Sequence, residues 1–434
     1  MYTVTIKLAK MEDLLCCMRL KDDQKPTVMI NQGKIIGKLC ETKSGNEYVS
    51  FTGIPYAEPP VGHLRFRKPV PKFPWDGILR ATKSCPIPSQ ISPNLIYRLS
   101  KGHFGQVYQL QKWCILIYFF YIRIKEIGTE DCLYLNVYSP DIPVTENQRK
   151  LPVLVCFFSQ SFTKGNVDIF SPERFMDTSE LLVVIVYFRL GPFGFLNLGI
   201  EECPGNQGLW DQLLALEWVR DNIQAFGGDN SNVTLVGHGS GSICVSHHLV
   251  SPQTTGLFHR AILMSGTFIS PYFWQNHDSK QIAHLFLEEM ECQDFEALQS
   301  KSQSEILAKA NFMGDLNDEV PNPWVPSVDK ARCLKITGKV SFNNASEASN
   351  VYILRSQKFT KNAKQLSIWR VLKAYTIIKK CKWDILGDFQ ILCKDLKDCF
   401  LPDQPMKMCL QGSLKKMPLI VGSTQDEGKL LSNN

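Results

Sequence analysis

The chain has 434 residues, of which 44% are hydrophobic, 11% aromatic and 21% charged, and its 48 basic and 42 acidic residues give a net charge of +6. This composition is that of a globular protein and excludes disordered, collagen-like and coiled-coil chains. A net charge of +6 is too small for this length to indicate nucleic-acid binding.

Cysteine is frequent, with fifteen residues in the chain. No C-x-x-C pair occurs, so a zinc site or a thioredoxin-like motif has little support, and the count fits a partly disulfide-bonded secreted protein better. The N-terminus, MYTVTIKLAKMEDLL, lacks the apolar stretch of a secretion signal. The longest apolar run lies at 113–122. It is too short for a bilayer, which needs ~20 residues, so we expect no transmembrane segment.

The strands at the start of the chain differ from those in its middle. The segments 27–37 and 48–51 have the pattern of antiparallel edge strands. In contrast, 151–158 (LPVLVCFF) and 181–187 (LLVVIVY) are continuous apolar runs of strand length. Runs without alternation are typical of strands that are covered on both faces, as in parallel sheets.

A helix comes next, at 208–226, where apolar residues recur at steps of three and four and predict an amphipathic surface. The elements after it are a buried strand at 233–236 (VTLV), a tight glycine turn at 237–241, a helical stretch to about 249, and strands at 260–265 and 417–421. Strands that alternate with helices predict βαβ crossovers and a largely parallel sheet, so the predicted fold class is α/β.

Two stretches, 101–127 and about 330–398, have no consistent periodicity. The second is far longer than an ordinary loop. We therefore predict one domain over 25–434 with two irregular insertions, and leave 1–24 unassigned. One hypothesis accounts for the insertions, the missing secretion signal and the abrupt end at Asn434. It holds that the sequence is an imperfectly assembled gene product, with extra translated segments and a truncated C-terminal part.

Eight segments resemble, in order, the signatures of the type-B carboxylesterase and cholinesterase family. They are FTGIPYAEPPVGHLRF (51–66), TEDCLYLNVYSP (129–140), FRLGPFGFL (188–196), GNQGLWDQLLALEWVRDNIQAFGGD (205–229), the turn at 233–241, SPQTTGLFHRAILMSG (251–266), CFLPDQP (399–405) and PLIVGSTQDEG (418–428). A single such match would be weak, whereas eight in family order are specific.

The resemblance implies the α/β-hydrolase fold, a mostly parallel twisted sheet with helices on both faces. It also implies a serine hydrolase that uses Ser, Glu and His in that chain order, with an oxyanion hole from a glycine-rich loop and no cofactor or metal. Much of the family hydrolyses carboxylic esters to an alcohol and an acid, whereas the neuroligins are non-catalytic adhesion proteins. The family suggests a secreted or extracellular protein.

The family's nucleophile lies on a sharp strand-to-helix turn within G-x-S-x-G. Here the turn reads Gly237, His238, Gly239, Ser240, Gly241, which puts glycine at the nucleophile position, Gly239. Glycine tolerates the strained backbone of the turn but has no side chain, so no acyl-enzyme can form on it. Ser240 stands one residue further on, where we expect its hydroxyl to cap the start of the helix.

The oxyanion loop is altered as well. The family pattern H-G-G-G falls on Phe158, Ser159, Gln160 and Ser161, so the histidine and all the glycines are replaced. Glycines let two backbone N–H groups converge on a developing oxyanion, and bulkier residues oppose that convergence. We therefore expect the family's oxyanion positions, Ser159, Gln160 and Ser240, to be inoperative.

The acid of the triad falls on Glu427, which the sequence retains, but no histidine follows it. His238 lies beside the nucleophile position, where a side chain that only fills space is the favoured interpretation. His247 and His248 are adjacent on a predicted helix and share no face, so they do not predict a metal site.

The remaining predictions concern cysteines and modification. By the resemblance, Cys85 and Cys132 form the family's first disulfide, and Cys292 lacks a partner for the second. Glycosylation sequons stand at Asn232 and Asn344. Asn232 abuts a buried strand, which makes Asn344 the better candidate.

These losses together favour a non-catalytic carboxylesterase-like protein, comparable in this respect to the neuroligins. Its partner is expected to be a protein or a small apolar ester-like ligand, and not a nucleic acid. One alternative is a carboxylesterase that hydrolyses carboxylic esters as a serine hydrolase. The other is a nonfunctional truncated product.

Overall fold

The computed structural model describes residues 25–90, 128–142, 149–165, 172–268, 279–316, 323–328, 400–401, 405–415 and 417–422. All of these belong to one compact unit. The segment 1–24 and the predicted insertions at 101–127 and about 330–398 lie outside the described residues. The prediction of one domain over 25–434 therefore stays a prediction.

A small sheet forms near the start of the chain from β1 (Thr27–Ile30), β2 (Gly33–Ile36) and β5 (Ile78–Arg80). β1 and β2 form an antiparallel hairpin, as the sequence predicts, but β2 also pairs in parallel with β5. The hairpin is thus part of a separate three-stranded sheet.

The large sheet has eight strands in the order β11-β10-β9-β7-β8-β6-β4-β3. Their bounds are β3 Lys38–Glu41, β4 Glu47–Pro55, β6 Tyr134–Ser139, β7 Leu151–Ser159, β8 Leu182–Val186, β9 Gly228–Gly239, β10 Arg260–Met264 and β11 Leu419–Gly422. Along this order, neighbours among β11, β10, β9, β7 and β8 pair in parallel. At the other end, β6 pairs antiparallel with β8, β4 with β6, and β3 with β4. The predicted parallel centre and antiparallel edge are confirmed.

The described helices are α1 Glu173–Met176, α2 Gly191–Phe195, α3 Gln207–Asn222, α4 Ser240–Val250, α5 Ser279–Glu289, α6 Phe295–Ser300, α7 Gln303–Leu316 and α8 Pro405–Leu410. A 3-10 turn at Ile223–Phe226 extends α3 and ends at Gly227, whose left-handed φ of 88° suits glycine after a helix. No helix among the described residues is both long and apolar enough to cross a membrane.

Both faces of the large sheet are buried, and β8 shows this most directly. All five of its side chains are buried. Val184 packs in the larger apolar cluster with residues of α3 and α4, whereas Val183 and Ile185 pack in the smaller cluster with Met176 of α1. The sequence of β8 is therefore apolar throughout because both faces of the strand are covered, as predicted.

Candidate functional site

The site predicted from the sequence lies where β9 ends and α4 begins. Gly239 forms the apex of this turn with φ 58° and ψ −124°, a backbone conformation that favours glycine. β9 is hydrogen-bonded to β7 on one side and β10 on the other. The apex therefore stands at the carboxyl edge of parallel strands, where α/β proteins bind their ligands.

The glycines around the apex are required by close packing. A Cβ on Gly237 would collide with the backbone of Gly241 and Ser242, and a Cβ on Gly241 would collide with the carbonyl of Phe157. These clashes confirm that the flanking glycines let the strand and the helix approach each other.

The apex itself is not crowded. A Cβ built on Gly239 would find its nearest neighbour, the carbonyl oxygen of Ser159, at 3.7 Å, which is an ordinary van der Waals distance. The turn therefore has room for a side chain, although its backbone conformation favours glycine, and it carries none. The atom that begins acyl transfer in a serine hydrolase is missing from an intact support.

Ser240 is buried, with 2% of its surface exposed. Its Oγ lies 2.9 Å from Ser159 Oγ and accepts a hydrogen bond of 3.1 Å from the backbone N–H of Phe162. No side chain caps the first turn of α4. The prediction that Ser240 caps the helix was wrong, because its hydroxyl instead bonds to the loop after β7.

That loop contains the residues predicted to occupy the family's oxyanion positions. The N–H of Gln160 donates to the carbonyl of Lys164 at 2.6 Å, and the N–H of Phe162 is held by Ser240. Ser161 and Phe162 have φ values of 53° and 58°, the left-handed region that glycine adopts more easily. The loop thus keeps a glycine-type backbone, while two of its amides bond within the protein.

Three histidines lie on the turn or on the helix that follows it. His238 is exposed at the end of β9, and no hydrogen bond joins it to Ser159 or Ser240 among the described residues. His247 and His248 are fully buried on α4.

Each buried histidine has a structural partner. His247 Nδ1 lies 2.7 Å from the carbonyl of Ile243, and His248 Nε2 lies 2.8 Å from Gln212 Oε1. Burial lowers the pKa of His247 to about 4. Burial, and then the charge of Lys415, lowers the pKa of His248 well below its usual value. Within the described ranges no three His, Cys, Asp or Glu side chains are grouped to hold a metal ion.

Cys85 and Cys132 are both buried thiols, and no disulfide joins them. Cys85 packs in the smaller apolar cluster, where its Sγ donates to Asn136 Oδ1 at 2.9 Å, whereas Cys132 packs in the larger cluster. The structure therefore does not contain the bridge implied by the resemblance. Cys292 is a buried thiol near the carbonyl of Met290, as expected for a cysteine without a partner.

Two predicted residues, Glu427 and Asn344, lie outside the described residues. Their roles stay predictions. The sequence analysis missed Ser242 and Gly266. The hydroxyl of Ser242 donates to the carbonyl of Gly266 at 2.6 Å, and a Cβ on Gly266 would collide with the carbonyl of Gly239. The signal for this packing was a glycine immediately after the strand that adjoins the turn.

A mostly parallel sheet whose central strand turns sharply into a helix at its carboxyl end defines the α/β-hydrolase class. Residues 24–434 match the model of a family described as the carboxylesterase family. The chain therefore belongs to the carboxylesterase family.

Curated relatives agree with this assignment. The chain is 32% identical over 407 residues to a juvenile hormone esterase of Tribolium castaneum, covering 93% of this chain and 55% of the relative. It is 31% identical over 398 residues to acetylcholinesterase 1 of Caenorhabditis elegans, covering 86% and 58%. It is 39% identical over 240 residues to human carboxylesterase 5A, covering 54% and 38%. The chain thus spans between 38% and 58% of the length of these relatives.

Proposed function

We propose that this chain is a non-hydrolytic member of the carboxylesterase family that binds a small apolar ester-like ligand or a protein partner without cleaving it. The observation that carries the proposal is Gly239, which stands at the apex of the turn without a side chain. A covalent acyl-enzyme needs a nucleophilic atom at that place.

The environment of the apex supports the same proposal. The nearest hydroxyl, on Ser240, is buried and bonded to Ser159 and to the backbone of Phe162. A serine is a weak nucleophile unless an adjacent base activates it, and no histidine bonds to Ser240 within the described part of the chain. Loss of one oxyanion donor alone costs about 10²–10³ in kcat.

A second candidate is a working carboxylesterase, which is favoured by relatives that are named as esterases. The two candidates differ in one measurable property, the presence of a serine that attacks an electrophilic ester or phosphonate.

A fluorophosphonate probe separates the two candidates. We expect the purified full chain to remain unlabelled and a short-chain nitrophenyl ester to hydrolyse at the buffer rate. A rise in Tm with the same ester would report binding separately from turnover.

The control variant is Ser240→Ala, which removes the hydroxyl of the residue that follows the apex. Stoichiometric labelling of the natural chain with loss of labelling in Ser240→Ala would identify Ser240 as a nucleophile and overturn the proposal. Saturable ester turnover by the natural chain would overturn it as well.

We also propose that the protein enters the secretory pathway. The fifteen cysteines and the two sequons support this location.

A further inference from the structure

Asn232, the first residue of its sequon, lies near the start of β9, directly before Val233 and Thr234, which pair in the sheet. The pairing of β7 with β9 passes from Leu151 opposite Gly228 to Val153 opposite Val233, so two steps along β7 match five along β9. Pairing with β10 begins only at Thr234. Residues 229–232 therefore protrude as a bulge between the two paired regions.

Side-chain hydrogen bonds fix this bulge as a surface turn. Asp229 Oδ1 accepts from the N–H of Ser231 at 2.9 Å and from its hydroxyl at 2.6 Å. Asn230 Nδ2 donates to the carbonyl of Arg220 at 3.1 Å, and its Oδ1 accepts from Gln224 at 2.8 Å. Ser231, immediately before the sequon, is exposed. The bulge is thus an ordered surface feature.

Asn232 is half-buried, and the two ends of its side-chain amide differ in their contacts. Its Oδ1 accepts a hydrogen bond from the guanidinium of Arg260, which is itself exposed. Its Nδ2 donates to no acceptor among the described residues. Because the oxygen end is held, the amide nitrogen is the end of the side chain left for an enzyme to modify.

The bulge is also remote from the turn at Gly239. Seven steps of extended strand lead from Asn232 to the apex, which at ~3.3 Å per step is about 23 Å. A glycan at Asn232 would therefore leave the carboxyl edge of the sheet uncovered.

We propose that Asn232 is a site of N-linked glycosylation whose donor is an oligosaccharide carried on a lipid diphosphate. The amide nitrogen attacks the anomeric carbon of the first sugar and forms a C–N bond. The bond from that carbon to the diphosphate oxygen breaks, and the lipid diphosphate leaves with the electron pair. The amide gives one proton to a base of the transferase.

Mass spectrometry of the full chain tests this site. A cleavable secretion signal is added in front of the full chain, so that delivery to the transferase does not depend on the chain's own N-terminus. Protein from secretory cells is treated with peptide N-glycosidase in heavy-oxygen water, which marks each formerly glycosylated asparagine as labelled aspartate. We expect the label at Asn232 in most molecules.

Matched variants assign the glycan to its residue. They are made in the Asn344→Gln background, where the sequon at Asn232 is the one that remains. Thr234→Ser preserves the sequon and should keep the gel shift that the glycosidase removes, whereas Asn232→Gln and Thr234→Val should abolish it. Unmodified Asn232 in the natural sequence, in both retained and secreted protein, would overturn the proposal. The result is independent of whether the protein hydrolyses esters.

Discussion

At the scale of single residues, the turn at Gly239 separates two demands that usually fall on one amino acid. In a serine hydrolase the apex residue must adopt a strained backbone and also carry the attacking hydroxyl. Gly239 meets only the first demand, with φ 58° and ψ −124°. Gly237 and Gly241, by contrast, remain as close packing requires. The local architecture and the chemistry of the turn are therefore set by different residues.

A pair of substitutions tests this separation. Gly239→Ser should fold and lose ~1–3 kcal/mol of unfolding free energy, the cost of holding a residue with a side chain in a sparsely populated backbone conformation. Gly241→Ala should lose more, because its Cβ collides with the backbone of β7. Urea unfolding of both variants measures the difference, and equal losses would contradict it.

The location of the turn could be predicted from the sequence, because the strand and the flanking glycines match the family's G-x-S-x-G motif, which places Gly239 at the apex. The bonding of Ser240 could not be predicted. Its hydroxyl meets Ser159 and Phe162, which are about 80 residues earlier in the chain. That contact depends on the pairing of β7 with β9, and nothing in the local pattern around Ser240 indicates it.

At the scale of elements, α4 is unusual because all eleven of its residues are buried. The sequence predicted a helical stretch that follows the turn at 237–241 and ends near 249, but it did not indicate this complete burial. His248 stacks on the ring of Phe157 and meets the ring of Phe400 edge-on. Lys415 donates to the carbonyls of His248 and Ser251 at the C-terminal end. The helix that follows the apex is thus enclosed along its whole length.

This enclosure predicts acid sensitivity. The pKa of His247 falls from 6.5 to about 4 on folding, so its contribution to stability is complete above pH 6.5 and is lost as the pH falls through 4. The loss is on the order of 3 kcal/mol. The shift of His248 has the same sign. Unfolding free energies measured from neutral to acid pH should show this decline.

Substitutions assign the acid sensitivity to the buried rings. His247→Gln should flatten the decline, because the group that takes up a proton on unfolding is removed. His238→Gln changes an exposed histidine that directly precedes Gly239. It should leave the decline of the unfolding free energy with falling pH unchanged. An unaltered slope in His247→Gln would disprove this assignment.

At the scale of the whole molecule, one buried ion pair connects distant parts of the chain. Arg189 follows β8 and forms two hydrogen bonds, of 2.8 and 2.6 Å, with Asp211 of α3. Its third nitrogen donates to the carbonyl of Arg67 at 2.8 Å. The pair is 3% and 0% exposed. Neither the partners nor the strand order of the sheet could be predicted from the sequence, because both depend on how separate segments assemble.

Breaking this pair should destabilise the whole fold. Asp211→Asn leaves the Arg189 charge buried without its carboxylate, and we expect a loss of about 3–5 kcal/mol in unfolding free energy. The matched control is Asp221→Asn, which breaks the exposed pair with Arg220 and should cost less than about 1 kcal/mol. Chemical denaturation compares the two variants, and similar losses would contradict the expectation.

The anchoring of β9 between two neighbouring strands has a consequence for how such a protein evolves. Since both flanking ladders and the adjoining helix hold the bend in place, we expect deletion of an apex hydroxyl to leave the amount of folded protein unchanged. Selection for folded protein then does not act against that deletion, and only selection for catalytic turnover can preserve the serine. Once a lineage no longer depends on ester cleavage, drift can remove the attacking group while the scaffold persists.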